Sequence, residues 1–97
     1  MFKIESDTID RYLGYHYYVP VVMLKGKHKK PYVAVDQEGS NVRVAWIKIE
    51  THEVEYYSHT PRAVKKDEAK FKDWIKKNHQ SCVKMWNQLN PQYPLKL

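Results

Sequence analysis

The hydrophobic period of the chain changes once, near residue 66, and this change limits the fold more than any other feature. From there to Leu89, apolar side chains recur at three- and four-residue steps and fill a stripe about 120° wide on a helical wheel. The stripe consists of Phe71, Trp74, Ile75, Asn78, Cys82, Met85, Trp86 and Leu89. Asn90 and Pro91 then form a stop signal. The sequence therefore predicts one amphipathic helix over residues 66–90.

Upstream of residue 58, short runs rich in β-branched and aromatic residues alternate with turn residues, which is typical of strands. The predicted strands are Phe2–Ile4, residues 12–24, residues 31–36, residues 42–50 and a last one that contains Val54 and Tyr56. The apolar side chains of residues 42–50 change parity around Trp46. This change predicts either a bulge near Trp46 or a sheet that is partly covered on both faces.

Strands followed by one helix predict an α+β fold. We expect a three- to five-stranded antiparallel meander with one long amphipathic C-terminal helix packed on one face. A chain of 97 residues suits a single domain over residues 1–97. The sheet would occupy about residues 2–58, the helix about 66–90, and an extended tail 91–97, which either follows an edge or meets a partner.

The chain is basic, with a formal net charge of +6 and a pI near 9.4, which favours nucleic acid or an acidic partner. Its most basic loop reads "KGKHKK" between two predicted strands. We predict that this hairpin loop binds the phosphates of RNA or single-stranded DNA while tyrosine stacks on bases. The proposed nucleic-acid-binding residues are Lys25, Lys27, His28, Lys29, Lys30 and Tyr32. The alternative is a loop whose lysines only keep it in water.

A second hypothesis is a protein-interaction component, because one helix can cover only one face of the sheet. The aromatic residues left half exposed would then form a surface for a second copy or another protein. The predicted surface consists of Tyr15, Tyr17, Trp46 and Tyr57, with the tail from Pro91 as a further contact.

A remote third hypothesis is a small ribonuclease. In an extended strand Glu53, Glu55 and His59 project to the same side, and carboxylates with a histidine can perform acid–base chemistry on RNA. Such a row is also typical of the solvated face of an antiparallel strand. We therefore expect a non-catalytic protein and assign no catalytic residue.

Several classes of site and location lack their usual signals. Three glycines cannot make a phosphate-binding loop, so we expect no cofactor. Four histidines are scattered along the chain with no metal-ligand spacing, so we also expect no metal; they are His16, His28, His52 and His79. Cys82 cannot form an internal disulfide and lies on the apolar stripe. The longest apolar run is too short to span a bilayer, and no leader precedes it, so we expect a cytoplasmic protein without membrane contact.

Residues 42–89 run from the strand "VRVAWIKIE" through the connector "TPR" to the helical segment "KDWIKKNHQSCVKMWNQL". This half resembles the C-terminal part of a small bacterial family of unknown function that pairs a compact sheet with a Trp-containing helix. Where members carry a histidine-rich stretch with paired prolines, this chain keeps only His28 and Pro31. The resemblance implies a bacterial, cytoplasmic protein, sometimes encoded in toxin–antitoxin-like gene pairs.

Overall fold

The strands form one antiparallel sheet in which each strand pairs with its neighbour in sequence. A computed structural model describes residues 8–20, 30–39 and 42–96. The strands are β1 (Thr8–Tyr12), β2 (Tyr15–Tyr18), β3 (Tyr32–Gln37), β4 (Val42–Lys48) and β5 (Val54–Tyr56). Helices α1 (Arg62–Lys65), α2 (Glu68–Lys77) and α3 (His79–Leu89) follow. The predicted α+β meander with C-terminal helical structure on one face is confirmed.

A tight turn interrupts the region that we predicted as one strand over residues 12–24, and this prediction is wrong. Leu13 and Gly14 have φ angles of 51° and 89°, and the turn pairs Tyr12 with Tyr15 across β1 and β2. Gly14 adopts a positive φ at no steric cost, which permits a two-residue hairpin. The predicted strand Phe2–Ile4 lies outside the described residues.

Strand β4 contains a bulge, which explains the parity change in its sequence. Val35 pairs with Ala45 and Asp36 pairs with Arg43, so that Val44 is the extra residue. Val44 and Ala45 both belong to the main core, whereas Trp46 packs in a second cluster with Tyr32. Both explanations offered by the sequence therefore hold, with the bulge at Val44 rather than at Trp46.

The helical region is divided, although we predicted one helix over residues 66–90. A short helix, α1, begins at Arg62 within the predicted connector, and Asn78 separates α2 from α3. Asn78 has φ −113° and ψ 17°, outside the α-helical region, and both its side chain and its N–H donate to the Trp74 carbonyl, at 2.8 and 3.0 Å. The backbone ladder resumes at once, because Cys82 N–H donates to the Asn78 carbonyl at 2.9 Å.

The main core lies between the sheet and the helices. The Tyr17 ring stacks on Trp74 with 4.0 Å between centroids and 7° between planes. The predicted helical stripe supplies most of the helical side of this core. Its buried members are Phe71, Trp74, Ile75, Cys82, Met85 and Trp86, and Val83 joins them. Burial of each such large side chain contributes roughly 1.5–3 kcal/mol.

Two hydrogen bonds from tyrosines of the sheet to carboxylates of the helical region join the two layers. Tyr15 Oη donates to Asp67 Oδ2 at 2.6 Å, and Tyr56 Oη donates to Glu68 Oε1 at 2.8 Å. Hydrogen bonds to charged acceptors are stronger than those between neutral groups. These bonds fix the start of α2 against β2 and β5.

The tail lies on α3 rather than along a sheet edge. Trp86 Nε1 donates to the Tyr93 carbonyl at 2.7 Å, and Leu95 N–H donates to Asn87 Oδ1 at 2.7 Å. Tyr93 and Leu95 pack against the core. Residues 91–96 of the tail are therefore docked on α3 of the same chain.

Candidate functional site

Positive charge is unevenly divided along the chain. Residues 1–61 contain eight Lys or Arg and eight Asp or Glu, whereas residues 62–97 contain nine and three. The formal net positive charge of the protein therefore lies in the helical region and the tail. The lysine loop contributes four cations, but the acidic residues of the first 61 positions balance them.

The helices present their cations on the side that faces solvent. The exposed basic residues of this region are Arg62, Lys65, Lys66, Lys70, Lys72, Lys76, Lys77 and Lys84. They lie outside the apolar stripe, which faces the sheet. We call this set the helical basic face.

Only part of the helical basic face is paired with carboxylates. Three lysines form ion pairs within α2 or its start: Lys70 with Asp67 at 3.3 Å, Lys72 with Glu68 at 3.6 Å, and Lys77 with Asp73 at 3.1 Å. Such exposed pairs contribute little stability and exchange readily for other partners.

The other cations of the helical basic face form no ion pair in the part of the chain that the structure describes. Lys65 Nζ lies 5.9 Å from the centroid of the Tyr56 ring, a cation–π distance. No ion pair among the described residues involves Arg62, Lys66, Lys76 or Lys84. These exposed cations are available to an external anion.

Most of the predicted lysine loop lies outside the described residues. Lys25, Lys27, His28 and Lys29 lie outside the described residues, and Lys30 is exposed at the start of the next described segment. Lys30 lines a cleft of about 500 Å³ together with Glu50 and residues 93–96 of the tail. A role for the loop stays a prediction.

Tyr32 does not present the exposed ring that base stacking requires. Its side chain is 2% exposed and packs with Ala34 and Trp46 in the second cluster. Burial raises the pKa of its hydroxyl above the ordinary value. Strand β3 directs this ring into the second cluster, and the role of Tyr32 in nucleic-acid binding stays a prediction.

Arg43 forms side-chain hydrogen bonds on the sheet face that carries this second cluster. Its Nη2 and Nε donate to Tyr18 Oη at 2.6 and 3.1 Å, and Tyr18 Oη donates to Asp36 Oδ1 at 3.2 Å. Burial lowers the pKa of the guanidinium, but its hydrogen bonds to Tyr18 and Tyr57 outweigh that effect and raise it. The charged Arg43 side chain therefore links strand β4 to strand β2.

The predicted aromatic interaction surface is largely buried. Tyr15 and Tyr17 are 5% and 0% exposed because they face the helices, and Trp46 is 4% exposed on the other sheet face. The expectation that these three are half exposed is wrong. Tyr57 is partly buried and stacks on His59, with 5.3 Å between centroids.

The residues of the ribonuclease hypothesis have separate partners. Lys48 Nζ lies 3.6 Å from Glu53 Oε1 and 3.9 Å from Glu55 Oε2. The His59 ring instead contacts the Arg43 carbonyl, with 3.0 Å between Nε2 and oxygen. Among the described residues, no carboxylate is recorded that would orient His59 as a general base.

One pair of functional groups was missed by sequence reasoning. His52 Nε2 and His79 Nδ1 lie 2.9 Å apart, although 27 positions separate the two residues. We expected the histidines to be scattered, and for this pair the expectation is wrong. Only the packing of the β4–β5 turn against α3 brings them together, and sequence spacing carries no signal of it.

Cys82 is buried in the core. Burial raises the pKa of its thiol to about 12, which keeps it protonated and unreactive near neutral pH. The described helices include none that is long and apolar enough to cross a membrane.

Comparisons with protein-family models, with curated proteins and with solved structures find no match to this chain. The resemblance of residues 42–89 to a bacterial family therefore stays a prediction.

Proposed function

We propose that this protein is a non-catalytic nucleic-acid-binding module that contacts the phosphate backbone through the helical basic face. One observation carries the proposal: the net positive charge lies in residues 62–97, mostly on exposed helical positions, and ion pairs among the described residues neutralise three of these positions. Lysine clusters that replace condensed counterions gain affinity from counterion release, whatever the base sequence.

The composition of the face predicts weak sequence preference. Lysine binds phosphate as a point charge, whereas arginine is the side chain that recognises guanine with two parallel hydrogen bonds. Arg43 is engaged with tyrosines of the sheet, and among the helices the basic face has one arginine, Arg62. We therefore infer contact with the backbone rather than with base edges.

The lysine loop is a proposed second contact. Lys25, Lys27, Lys29 and Lys30 would add an electrostatic arm to the helical basic face, but acidic residues elsewhere in the first 61 positions offset their charge. We rank its contribution below that of the helices for this reason.

Fluorescence anisotropy tests the proposal with labelled single-stranded RNA, single-stranded DNA and duplex DNA. We expect binding at low salt that is similar across base sequences and weakens steeply with salt. If four phosphates are neutralised, the slope of log affinity against log salt is about −3 for single strands. Absence of binding at low salt, or an affinity that does not depend on salt, would contradict the proposal. RNA recovered intact after the titration would agree with a non-catalytic role.

A further inference from the structure

Two histidine rings meet at the junction of the sheet and the helical layer. His52 follows the turn between β4 and β5, and His79 is the first residue of α3. Their ring centroids are 5.0 Å apart, the planes are inclined by 60°, and both side chains are partly exposed. Solvent can therefore reach the pair.

The backbone of the turn directs His52 toward α3. His52 has a φ of 67°, in the left-handed region, which few residues other than glycine adopt and in which asparagine, aspartate and histidine are enriched. Its N–H donates to the Lys48 carbonyl at 2.8 Å, and Lys48 N–H donates to the Glu53 carbonyl at 2.9 Å. These bonds hold the unfavourable conformation, and such conformations cluster at functional sites.

The separation of the two nitrogens matches a metal chelate. Imidazole nitrogens bind transition metals at about 2.0–2.1 Å. Two of them on adjacent positions of a square-planar or octahedral ion would be about 2.9 Å apart, and about 3.4 Å apart on a tetrahedral ion. The observed distance between His52 Nε2 and His79 Nδ1 is 2.9 Å.

We propose that His52 and His79 together bind a divalent copper or nickel ion. The 2.9 Å contact is an N–H···N hydrogen bond, so both rings must turn before their nitrogen lone pairs point at one ion in its place. Among the described residues no group of three His, Cys, Asp or Glu side chains could hold a metal, so water completes the coordination. This tetragonal nitrogen–oxygen set suits Cu²⁺ first and Ni²⁺ second.

The acidic residue beside His52 has other partners. The nearest acidic residue in sequence, Glu53, is occupied by Lys48 and by the Thr51 hydroxyl. A bound ion would link the β4–β5 turn to α3 and stabilise the folded state.

Titration with copper(II) or nickel(II) chloride tests the site. Binding is measured by calorimetry and by tryptophan fluorescence at pH 7.4 in a non-chelating buffer. We expect one saturable copper site in the full chain. His52→Asn, which keeps a residue tolerant of positive φ, and His79→Gln should each weaken binding by about tenfold or more. His59→Gln is the matched control and should bind copper like the wild type. Equal binding by all variants, or no saturable binding by the wild type, would overturn the proposal.

Electron spin-echo spectroscopy of the copper-loaded wild type gives a second test that does not depend on variant folding. We expect the signature of two equatorial imidazoles. A single imidazole, or none, would overturn the two-histidine site. Nickel should also raise the thermal unfolding midpoint of the wild type and of His59→Gln, but not that of His52→Asn.

Discussion

The sheet and the helical layer use their charged residues in opposite ways. On the sheet, Arg43 is tied to tyrosine hydroxyls, Lys48 to two glutamates, and the first 61 residues have no formal net charge. On the helices, exposed lysines outnumber the carboxylates that could pair with them.

The geometry of the two kinds of element explains this difference. Both faces of the sheet carry packed side chains, with a main core on one side and the Tyr32–Trp46 cluster on the other. Charged groups among such neighbours need partners, because an unpaired buried charge is costly. Each long helix buries only a stripe, so most of its circumference can carry free cations. The helical layer is therefore where an external anion finds charges that the fold does not use.

The largest expected effect concerns the joint between the two layers. Trp74→Ala removes the ring that stacks on Tyr17 and should lower the free energy of unfolding by about 3–5 kcal/mol. Lys76→Ala, on the solvent side of the same helix, should change it by about 0.5 kcal/mol or less. Urea unfolding followed by circular dichroism measures both. A loss below about 1 kcal/mol for Trp74→Ala would contradict the described packing.

A smaller effect is expected at the tyrosine–carboxylate bond between β2 and the start of α2. Tyr15→Phe keeps the ring but removes the hydroxyl that donates to Asp67, and should cost about 1 kcal/mol at pH 7. Urea unfolding at several pH values measures this cost.

The pH dependence sharpens this second prediction. The Tyr15 hydrogen bond, and secondarily Lys70, lower the pKa of Asp67 in the folded state. The resulting stability is present above the unfolded pKa of about 3.9 and is lost as pH falls through the lower folded value. The free energy of unfolding of Tyr15→Phe should therefore fall less on acidification than that of the wild type. Asp67→Asn should show the same smaller fall. Parallel pH profiles of wild type and both variants would contradict this coupling.

The smallest effect is expected in the β1–β2 turn, within the sheet alone. Leu13 is 55% exposed and has a φ of 51°, next to Gly14. Leu13→Asn creates the Asn-Gly pair that this turn geometry prefers and should stabilise the protein by about 0.5 kcal/mol. Thermal unfolding should show a higher midpoint, and Leu13→Val should show a lower one. A lower midpoint for Leu13→Asn would mean that the turn is described incorrectly.

The sequence predicts the fold where periodicity is strong. The helical stripe and the alternation of Val54 and Tyr56 follow directly from the spacing of apolar residues. The break at Asn78 was missed because it is a change in the backbone angles of one residue, and the apolar spacing continues through it. The Leu13–Gly14 turn was missed because apolar residues flank its single glycine.

The candidate site was only partly predictable. Charge is visible in the sequence, so the basic character and the helical lysines could be identified. Which face an aromatic side chain occupies depends on packing, so the exposures of Tyr15, Tyr17 and Tyr32 could not be inferred. The approach of His52 to His79 depends on tertiary structure in the same way.

Two variants with equal charge test most directly whether the helical basic face is the nucleic-acid contact. One replaces Arg62, Lys66, Lys76 and Lys84 by Gln, and the other replaces Lys25, Lys27, Lys29 and Lys30 by Gln. Each removes four positive charges from the net +6, so total charge is matched. Anisotropy with single-stranded RNA at several salt concentrations then compares them.

We predict that the helix variant loses about tenfold or more in affinity at low salt and has a flatter salt slope, while the loop variant loses less. Equal losses would mean that total charge alone governs binding. A loop variant that loses more than the helix variant would place the contact at Lys25–Lys30, and either result would contradict the central claim.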